Sequence, residues 1–559
     1  MTTSEEIDNL RQRALGARNA GDHETSLALF RKLLDLCPED QRSWIDSAIS
    51  LRELSRHSEA RKVLSKYLST GPASNWRSLA VDNLIGIVSH EVGALLRAGH
   101  PEAASSVFEG LLAACSEEEL SRHALRIWTI NFQILGFLGL ETALYKLKRA
   151  ELAAGIVNHA GPIRTLLANH AIANGWFDDA QRLILQDDET LGLRLHLADA
   201  RARTSMVDID DEGLIDKAKR SGHASFRKAA WNHELYAAMY RLDGPGIEHA
   251  LTEIDASLSS GDTKDRQSAA STTDRFRNVY ARSFLSATEL IRDTSAETLE
   301  ERSKSYLADD KNCRTHEERV CLSQFYLSHV VGGAPIGDRT LPNAAAAEEV
   351  PRAIVQFWDS RTVPEDVERC CRTWQALAQR GFQYSLFNEE NAEDWLARTY
   401  GSEVGARFRR AEHPAMKADL FRIFYLYENG GIYVDADEFC KSLPPFFDKA
   451  MRCVRLQRIV APVELPNMYL SLAKKDPLLH EAIEIVTRMP EEELFNGRIW
   501  WNTGPGSFSI AFARLHAEAV LGSGSSLPWL IPMPLYTRHV FSPQLDYKST
   551  AKSWQFQLT

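Results

Sequence analysis

The sequence predicts a two-part chain, with an almost wholly α-helical region over residues 1–330 and an α/β domain over residues 350–559. Before residue 330, apolar residues recur at helical spacing and strand-like alternation is rare. Residues 331–349 carry Gly, Pro and a short Ala run, which is typical of a linker. After them, short apolar strands alternate with amphipathic helices, and this pattern predicts a mostly parallel sheet.

Two segments near the N-terminus match each other at an interval of 34 residues. Ser26 corresponds to Ala60, where a small side chain lets paired helices approach closely, and Phe30 corresponds to Leu64, which fills the groove. The interval and the position of Trp44 resemble two copies of a tetratricopeptide repeat. Later helical pairs leave this register, so beyond residue 75 we expect either degenerate repeats or a non-repetitive helical domain.

The charge balance argues against a general nucleic-acid binder, because 65 basic residues against 76 acidic ones give a net charge of -11. No apolar run approaches the roughly 20 residues that span a bilayer, and the first residues have no features of a secretory signal. The eight cysteines are scattered without a CxxC pair, which indicates reduced thiols. We therefore expect a cytoplasmic protein without a transmembrane segment.

The start of the α/β domain predicts six elements in order. Strands are expected at Ala353–Trp358, Gln383–Phe387 and Ile432–Val434, and helices at Glu365–Gln379, Glu390–Tyr400 and Met416–Tyr427. The two glycines after Asn429 predict a glycine C-cap for the last of these helices. The third strand therefore begins immediately after a helix and runs straight into an acidic segment.

Asp435 and Asp437 follow that strand with one residue between them. If the extended backbone persists, both side chains point to one face, where two carboxylates repel unless a cation or a proton lies between them. Mg²⁺ and Mn²⁺ prefer such oxygen ligands, and ligand sites in open α/β sheets lie at the carboxyl ends of strands. The pair is a candidate metal site, although most Asp-x-Asp spacings by themselves are solvated turns.

The preceding helix places Asp419 and Arg422 three residues apart, and hence on one face. Arg422 is a cation that could meet a phosphate or pair with a carboxylate. The alternative for this pair is a surface salt bridge between neighbouring turns. His413 could line the same pocket or cap the helix, and the adjacent Trp500 and Trp501 could form a platform for a sugar, although core packing is the more common role of such a pair.

The stretch KADLFRIFYLYENGGIYVDAD resembles the signature of the family 32 glycosyltransferases, whose domain is named for a sugar-binding region containing a DXD motif. Other segments agree with that family in order and spacing: Val350–Trp358, Cys370–Trp374, the region of Asn467, Thr503–Pro505 and Ser553–Trp554. Val355 stands where the family often has a histidine. Lys548 and Ser549 replace the histidines that usually precede the closing Ser-Trp, so Lys548 or Lys552 offers a positive charge there instead.

The resemblance implies a GT-A fold, a nucleotide-sugar donor, and transfer with retention of anomeric configuration, with Mn²⁺ or Mg²⁺ bridging the diphosphate. Asp437 would bind the metal directly, and Asp435 would contact the ribose and the water shell of the metal. The remaining donor-binding residues that the resemblance implies are Gln356 and Trp358 on the opening strand, Asp419, Arg422, Tyr433 and Gly504, and Ser553 and Trp554, which would close over the diphosphate.

The sequence thus predicts a metal-dependent retaining glycosyltransferase that moves a hexose, with a UDP-sugar favoured and GDP-mannose second, to a saccharide or protein acceptor. The helical region would bind the acceptor, a protein partner or a second copy of the chain. Two alternatives stay open. One is a helical scaffold with a catalytically silent transferase-like domain, and the other is an effector that glycosylates a protein.

Overall fold

A computed structural model provides the structure of the chain. It describes residues 4–70, 75–97, 100–137, 145–149, 160–173, 177–184, 191–204, 212–221, 224–259, 272–292, 315–332, 350–448, 451–456, 463–520, 527–543 and 545–549. The chain divides into two compact units, Met1–Leu167 and Ala168–Thr559.

The described residues before the α/β domain form helices and no strand, which confirms the prediction of a helical N-terminal region. These helices are α1 (Ser4–Asn19), α2 (His23–Leu36), α3 (Gln41–Glu53), α4 (His57–Thr70), α5 (Asn75–Arg97), α6 (Pro101–Ala114), α7 (Glu117–Arg122), α8 (Ala124–Phe137), α9 (Ala160–Ala173), α10 (Phe177–Ile184), α11 (Leu191–Thr204), α12 (Glu212–Lys219), α13 (Ala224–Arg241), α14 (Gly244–Ser259), α15 (Thr272–Arg292) and α16 (His316–Gly332).

In the first unit, α2 and α4 have the same length of 14 residues, and their first residues are 34 apart. Ser26 and Phe30 of α2 are fully buried, as are Ala60 and Leu64 of α4. Small and large side chains therefore alternate along both helices where neighbouring helices pack, as the 34-residue interval predicts. The assignment to tetratricopeptide repeats stays a prediction.

Helix α5 is long and apolar enough, over Asn75–Leu96, to cross a membrane by length and composition, with 44% of its most apolar window buried. A core helix packed among other helices passes the same test. The expectation that the chain has no transmembrane segment therefore stays a prediction.

The second unit contains the α/β domain, whose elements alternate as predicted. Its strands are β1 (Ala353–Phe357), β2 (Gln383–Phe387), β3 (Gly431–Val434), β4 (Phe439–Cys440), β5 (Cys453–Leu456), β6 (Tyr469–Leu472), β7 (Trp529–Pro532) and β8 (Val540–Phe541). Its helices are α17 (Glu365–Gln375), continued by a 3₁₀ turn at Ala376–Arg380, α18 (Glu389–Tyr400), α19 (Ser402–Arg410), α20 (Pro414–Asn429), α21 (Pro445–Asp448), α22 (Pro477–Arg488), α23 (Glu491–Leu494), α24 (Ile499–Asn502), α25 (Pro505–Val520) and α26 (Met533–His539), with a last 3₁₀ turn at Asp546–Ser549.

The six-stranded sheet is mixed, with the order β2-β1-β3-β6-β5-β7, and a second sheet pairs β4 with β8. Strand β1 is parallel to β2 and β3, and β7 is parallel to β5, whereas β6 is antiparallel to both β3 and β5. The predicted alternation holds for β1, β2 and β3, whose carboxyl ends meet at one edge. The sequence predicts a mostly parallel sheet but does not predict that β6 is antiparallel to both of its neighbours.

Glycine is required where α20 turns into β3. Gly430 caps the helix with φ +64°, its N–H donating to the Leu426 carbonyl at 2.7 Å, and Gly431 has φ +109°. A Cβ atom at Gly431 would lie 2.7 Å from the carbonyl oxygen of Ala353 on β1. The two glycines therefore allow β3 to lie beside β1 immediately after the helix, and the predicted glycine C-cap is confirmed.

Helices α13 to α16 share one apolar core with the α/β domain inside the second unit. The Tyr280 ring stacks on Trp501 at 5.9 Å between centroids, and the His316 ring is buried with its Nε2 2.9 Å from the Trp501 carbonyl oxygen and 3.1 Å from Ser507 Oγ. Burial lowers the pKa of His316 to about 4, so the imidazole is neutral at pH 7. Trp500 and Trp501 are core residues.

The boundary predicted at residues 331–349 stays a prediction, since those residues lie almost wholly outside the described part.

Candidate active site

The candidate site lies where β3 ends. The strand stops at Val434, and the backbone then turns, with the N–H of Glu438 donating to the Asp435 carbonyl at 3.1 Å. The extended backbone therefore does not persist, so the condition under which Asp435 and Asp437 would share a strand face is not met. The turn sends the two carboxylates to different partners, although both remain at the carboxyl edge of the sheet.

Arg422 is the central cation of the site. Its Nη2 lies 3.0 Å from Asp435 Oδ1 and 3.2 Å from Asp419 Oδ1, and its Nη1 donates to the Asn467 carbonyl at 2.7 Å. The guanidinium carbon lies 4.4 Å from the centroid of the buried Tyr433 ring. Arg422 and Asp419 are only 3% and 5% exposed, so the alternative of a surface salt bridge is wrong. A planar, multiply bonded guanidinium of this kind has a fixed position.

Asp419 joins the helix to two later segments. Its Oδ1 accepts from Asn467 Nδ2 at 2.9 Å, and its Oδ2 accepts from Thr503 Oγ1 at 3.0 Å. Burial raises the pKa of Asp419, while Arg422 and these two donors oppose that shift. Both oxygens have protein partners, so Asp419 orients Arg422, and its direct contact with a donor sugar stays a prediction.

Gln356 and Tyr384 fix the backbone at the strand end. The fully buried Gln356 donates through Nε2 to the carbonyl oxygen of Asp435 at 3.1 Å, and it accepts from the Tyr384 hydroxyl at 2.8 Å. The two residues lie on β1 and β2, so two neighbouring strands hold the backbone of Asp435. Gln356 acts here on the protein backbone, and its contact with a nucleotide stays a prediction.

Asp437 is paired with the C-terminal 3₁₀ turn. Its Oδ2 accepts from the Tyr547 hydroxyl at 2.7 Å and lies 2.8 Å from Lys548 Nζ. Burial lowers the pKa of Lys548, but Asp437 and Glu438 together raise it above its ordinary value, so the side chain is a cation at pH 7. The Tyr547 ring packs edge-on against Trp358, with 5.2 Å between centroids. The predicted site residue Trp358 thus supports the turn that contacts Asp437.

Besides Asp419, two further acidic groups here have raised pKa values. Burial raises the pKa of Asp435, and the nearby Asp437 and Glu438 add to this shift, while Arg422 opposes it. The pKa of Glu438 is also raised, first by burial and then by Asp437, although the Ser542 hydroxyl donates to its carboxylate. Buried acids whose pKa values are raised by burial and by neighbouring carboxylates are a common feature of functional sites.

The structure brings Asp419, Arg422, Tyr433, Asp435 and Gln356 together, with Asp437 and Trp358 beside them. Gly504 lies between α24 and α25, next to Thr503 of the same network. His413 caps α20, where its Nδ1 accepts from the Ala415 N–H at 3.1 Å. Ser553 and Trp554 lie outside the described residues, so their predicted closure over the diphosphate stays a prediction.

Several polar residues of the site are absent from the sequence-based set. They are Tyr384, Glu438, Asn467, Thr503, Ser542, Tyr547 and Lys548. Three of them carried a signal in the sequence, because Asn467 and Thr503 lie in segments that resemble family 32 and Lys548 stands where that family usually has a histidine. Glu438 directly follows Asp437 but carries no motif of its own, and the positions of Tyr384, Ser542 and Tyr547 depend on tertiary contacts that spacing does not reveal.

Asp435 and Asp437 fit a divalent cation by donor chemistry. Their side chains are 27% and 15% exposed, so both carboxylates reach the surface of the site. Among the residues that the structure describes, no group of three or more His, Cys, Asp or Glu could hold a metal ion. Two carboxylates are nonetheless a usual protein contribution to a Mg²⁺ site, because that ion keeps several water ligands.

Residues 364–450, which include these aspartates, match the model of a protein family described as a glycosyltransferase sugar-binding region containing a DXD motif. The match begins one residue before α17 and includes all elements up to α21. The site and this match together support a glycosyltransferase. The finer assignment to family 32 stays a prediction.

Three curated relatives support the same class. The chain is 28% identical over 178 residues to inositol phosphoceramide mannosyltransferase 1 of Schizosaccharomyces pombe, covering 30% of this chain and 52% of that protein. It is 25% identical over 172 residues to inositol phosphoceramide mannosyltransferase 3 of that yeast, covering 31% and 46%. It is 23% identical over 141 residues to mannosyl phosphorylinositol ceramide synthase CSH1 of Saccharomyces cerevisiae, covering 24% and 35%. The chain spans about half or less of the length of these relatives.

A structure titled PaToxG Glycosyltransferase is also similar to this chain. The TM-score is 0.24 at 15% sequence identity, and the match covers 38% of this chain and 87% of that chain.

Proposed function

We propose that this protein is a retaining glycosyltransferase that transfers a hexose from a nucleotide-sugar donor to an acceptor and depends on Mn²⁺ or Mg²⁺. The observation that carries the proposal is the buried Arg422, which joins Asp419 to Asp435 at the carboxyl end of β3. Burying a cation between two carboxylates costs desolvation free energy, so such a group is seldom explained by stability alone. A diphosphate leaving group, in contrast, requires charged groups that are already in position.

The donor is assigned by sugar and nucleotide class. The resemblance to family 32 implies a nucleotide-sugar, for which a UDP-sugar is the general expectation, while the relatives in two yeasts are named as enzymes of mannosyl transfer, which supports mannose and therefore GDP-mannose. Their names also give inositol phosphoceramide as an acceptor. For this chain the acceptor is a saccharide, a protein or such a lipid headgroup, and the helical region is the part that would bind it or a partner.

The residues of the site have two kinds of role, which are holding the cation and positioning the groups that hold it. Asp435 and Asp437 would hold the divalent cation, which when bound neutralises charge on the diphosphate leaving group. Arg422 holds Asp435, and Asp419 and the Asn467 carbonyl hold Arg422, so the carboxylate keeps one orientation. Gln356 fixes the backbone of Asp435 from β1. No dedicated base is needed, because in retaining transfer of this type the leaving phosphate can accept the proton of the acceptor.

A panel of nucleotide-sugars tests the proposal directly. The full chain is incubated with UDP-glucose, UDP-galactose, UDP-N-acetylglucosamine and GDP-mannose, with and without Mn²⁺, and release of UDP or GDP is measured. We expect release from one donor that depends on the cation. No release from any donor, with no binding of UDP or GDP in the presence of Mn²⁺, would favour a scaffold with a silent domain.

A further inference from the structure

Lys548 places a positive charge beside Asp437, the carboxylate that is proposed to bind the metal directly. Its Nζ lies 2.8 Å from Asp437 Oδ2 and donates to the Pro543 carbonyl at 3.0 Å, so the ammonium is held from two sides. A divalent cation bound to that carboxylate oxygen would lie about 2 Å from it. Two cations that close repel strongly in a partly buried site. Lys548 and a metal ion therefore compete for Asp437.

The charges at the strand end nearly balance without a metal. The carboxylates are Asp419, Asp435, Asp437 and Glu438, and the cations are Arg422, Arg455 and Lys548. A divalent cation without a nucleotide would find the ammonium of Lys548 already bound to Asp437 Oδ2. A divalent cation bound to a nucleoside diphosphate arrives in a complex with net negative charge, and an ammonium released from Asp437 can then contact phosphate oxygens.

The backbone around Lys548 is fixed, so that only its side chain has to move. The N–H of Asp546 donates to Asp366 Oδ2 at 3.0 Å, and the Tyr547 ring packs on Trp358. The Lys548 side chain is 22% exposed, and the four carbons of a lysine stem give the ammonium several ångströms of reach. The 3₁₀ turn thus holds the backbone of Lys548 in place, while the long side chain can bring the ammonium to another anion.

We propose that Lys548 is a diphosphate-binding residue that neutralises Asp437 before the donor binds and moves to the diphosphate when metal and nucleotide arrive together. This inference rests on the proposed function, which supplies the diphosphate. Metal alone then binds weakly, whereas metal and nucleotide each raise the affinity of the other by one common factor, as linkage requires. Lys548 contributes part of that coupling factor.

Calorimetry on the full chain tests the inference with Mn²⁺ alone, UDP or GDP alone, and each nucleotide at saturating Mn²⁺. Lys548→Gln removes the charge and keeps most of the side-chain length. We expect it to bind Mn²⁺ alone about fivefold more tightly or better, to bind the nucleotide with Mn²⁺ about tenfold more weakly, and to show a smaller coupling factor. If Lys548→Gln proves unfolded by circular dichroism, Lys548→Met is measured in its place.

Two control variants separate charge from other effects. Tyr547→Phe removes the other donor to Asp437 Oδ2 and keeps the ammonium, so its Mn²⁺ affinity should stay within about threefold of the wild type. Lys475→Gln removes a lysine that pairs with Glu428 where α20 ends, at the other end of β3, and should change neither affinity.

Equal Mn²⁺ affinity and equal coupling in the wild type and Lys548→Gln would overturn the inference. So would a rise in Mn²⁺ affinity in Tyr547→Phe that equals the rise in Lys548→Gln. Failure of the proposed function gives a different result, because the wild type would then release no nucleotide from any donor and bind neither UDP nor GDP with Mn²⁺. In that case the two titrations with Mn²⁺ alone still decide whether Lys548 competes with the metal.

Discussion

Asp419 and Asp437 are both acidic residues of the site, but their partners give them different roles. Asp419 is 5% exposed, and both its oxygens accept hydrogen bonds from Asn467 and Thr503 inside the protein. The side chain of Asp437 is 15% exposed, and its partners are a lysine and a tyrosine from the last described turn. A buried, fully bonded carboxylate positions other groups, whereas a partly exposed one can exchange its partners for a ligand.

Asp437→Asn should remove most of the cation-dependent activity, by about a hundredfold or more, because asparagine keeps the shape and loses the anionic oxygen. Mn²⁺ with nucleotide should raise the melting temperature of the wild type and hardly that of the variant. Glu428→Gln, which changes a half-buried acid paired with Lys475 at the other end of β3, serves as the control and should keep the wild-type response. Equal affinity of Asp437→Asn and wild type for Mn²⁺ and nucleotide would take the metal site away from these aspartates.

The ion pair between Asp437 and Lys548 also determines the stability that we expect for Asp437→Asn. From the sequence alone, relief of repulsion between Asp435 and Asp437 predicts unchanged or slightly higher stability in metal-free buffer. The structure pairs Asp437 with Lys548 instead, so Asp437→Asn should lower the melting temperature slightly.

Arg422→Lys should lower donor turnover at least about tenfold, because an ammonium cannot bridge Asp419, Asp435 and the Asn467 carbonyl at once. Since the site is buried, the melting temperature should also fall. Arg407→Lys is the matched control, because the guanidinium of Arg407 donates only to backbone carbonyls in the described contacts, including those of Val486 and Met489. Arg407→Lys should lower the melting temperature and keep turnover per folded molecule. Wild-type turnover in Arg422→Lys would leave Arg422 with a structural role only.

At the scale of elements, the helix α20 and the strand β3 form the unit that positions the site. The helix carries Asp419 and Arg422, Asp435 follows the last residue of the strand, and Gly430 alone separates the two elements. Sequence reasoning predicted this unit well, because helical periodicity, the glycine C-cap and the apolar strand are all local signals. It failed one residue past β3, where the chain turns, because the turn depends on partners such as Gln356 that come from other strands.

Gly431→Ala should destabilise the second unit by at least about 2 kcal/mol, since the new Cβ would combine an unfavourable φ with a 2.7 Å contact to the Ala353 carbonyl oxygen. Gly497→Ala is the control, because Gly497 has φ +85° and open space around a Cβ atom, so that only the backbone strain of about 1 kcal/mol remains. Chemical denaturation measures both. Equal losses in the two variants would show that the contact between β1 and β3 can adjust.

At the scale of the whole molecule, sequence composition predicted the change from helices to alternating elements but not which helices belong to the same unit. Helices α13 to α16 share a core with the α/β domain, through contacts such as Tyr280 with Trp501 and His316 with Ser507. These pairs are separated by about 200 residues along the chain, and periodicity reports only which side of a helix is apolar, without naming its partner. The compact units therefore divide at residue 167, inside the region that reads as helical throughout.

This shared core predicts how truncated chains behave. A fragment beginning at Val350 would lose Tyr280, Phe284 and Phe325 and expose the buried faces of Trp500 and Trp501, so it should aggregate. A fragment beginning at Ala160 retains these helices and should elute from size-exclusion chromatography without aggregates. His316→Leu in the full chain gives a finer test, because it removes the buried hydrogen bonds of His316 with Trp501 and Ser507, which should lower the melting temperature. A soluble, monomeric Val350–Thr559 fragment with a wild-type melting transition would show that the α/β domain is stable without the helices that pack on it.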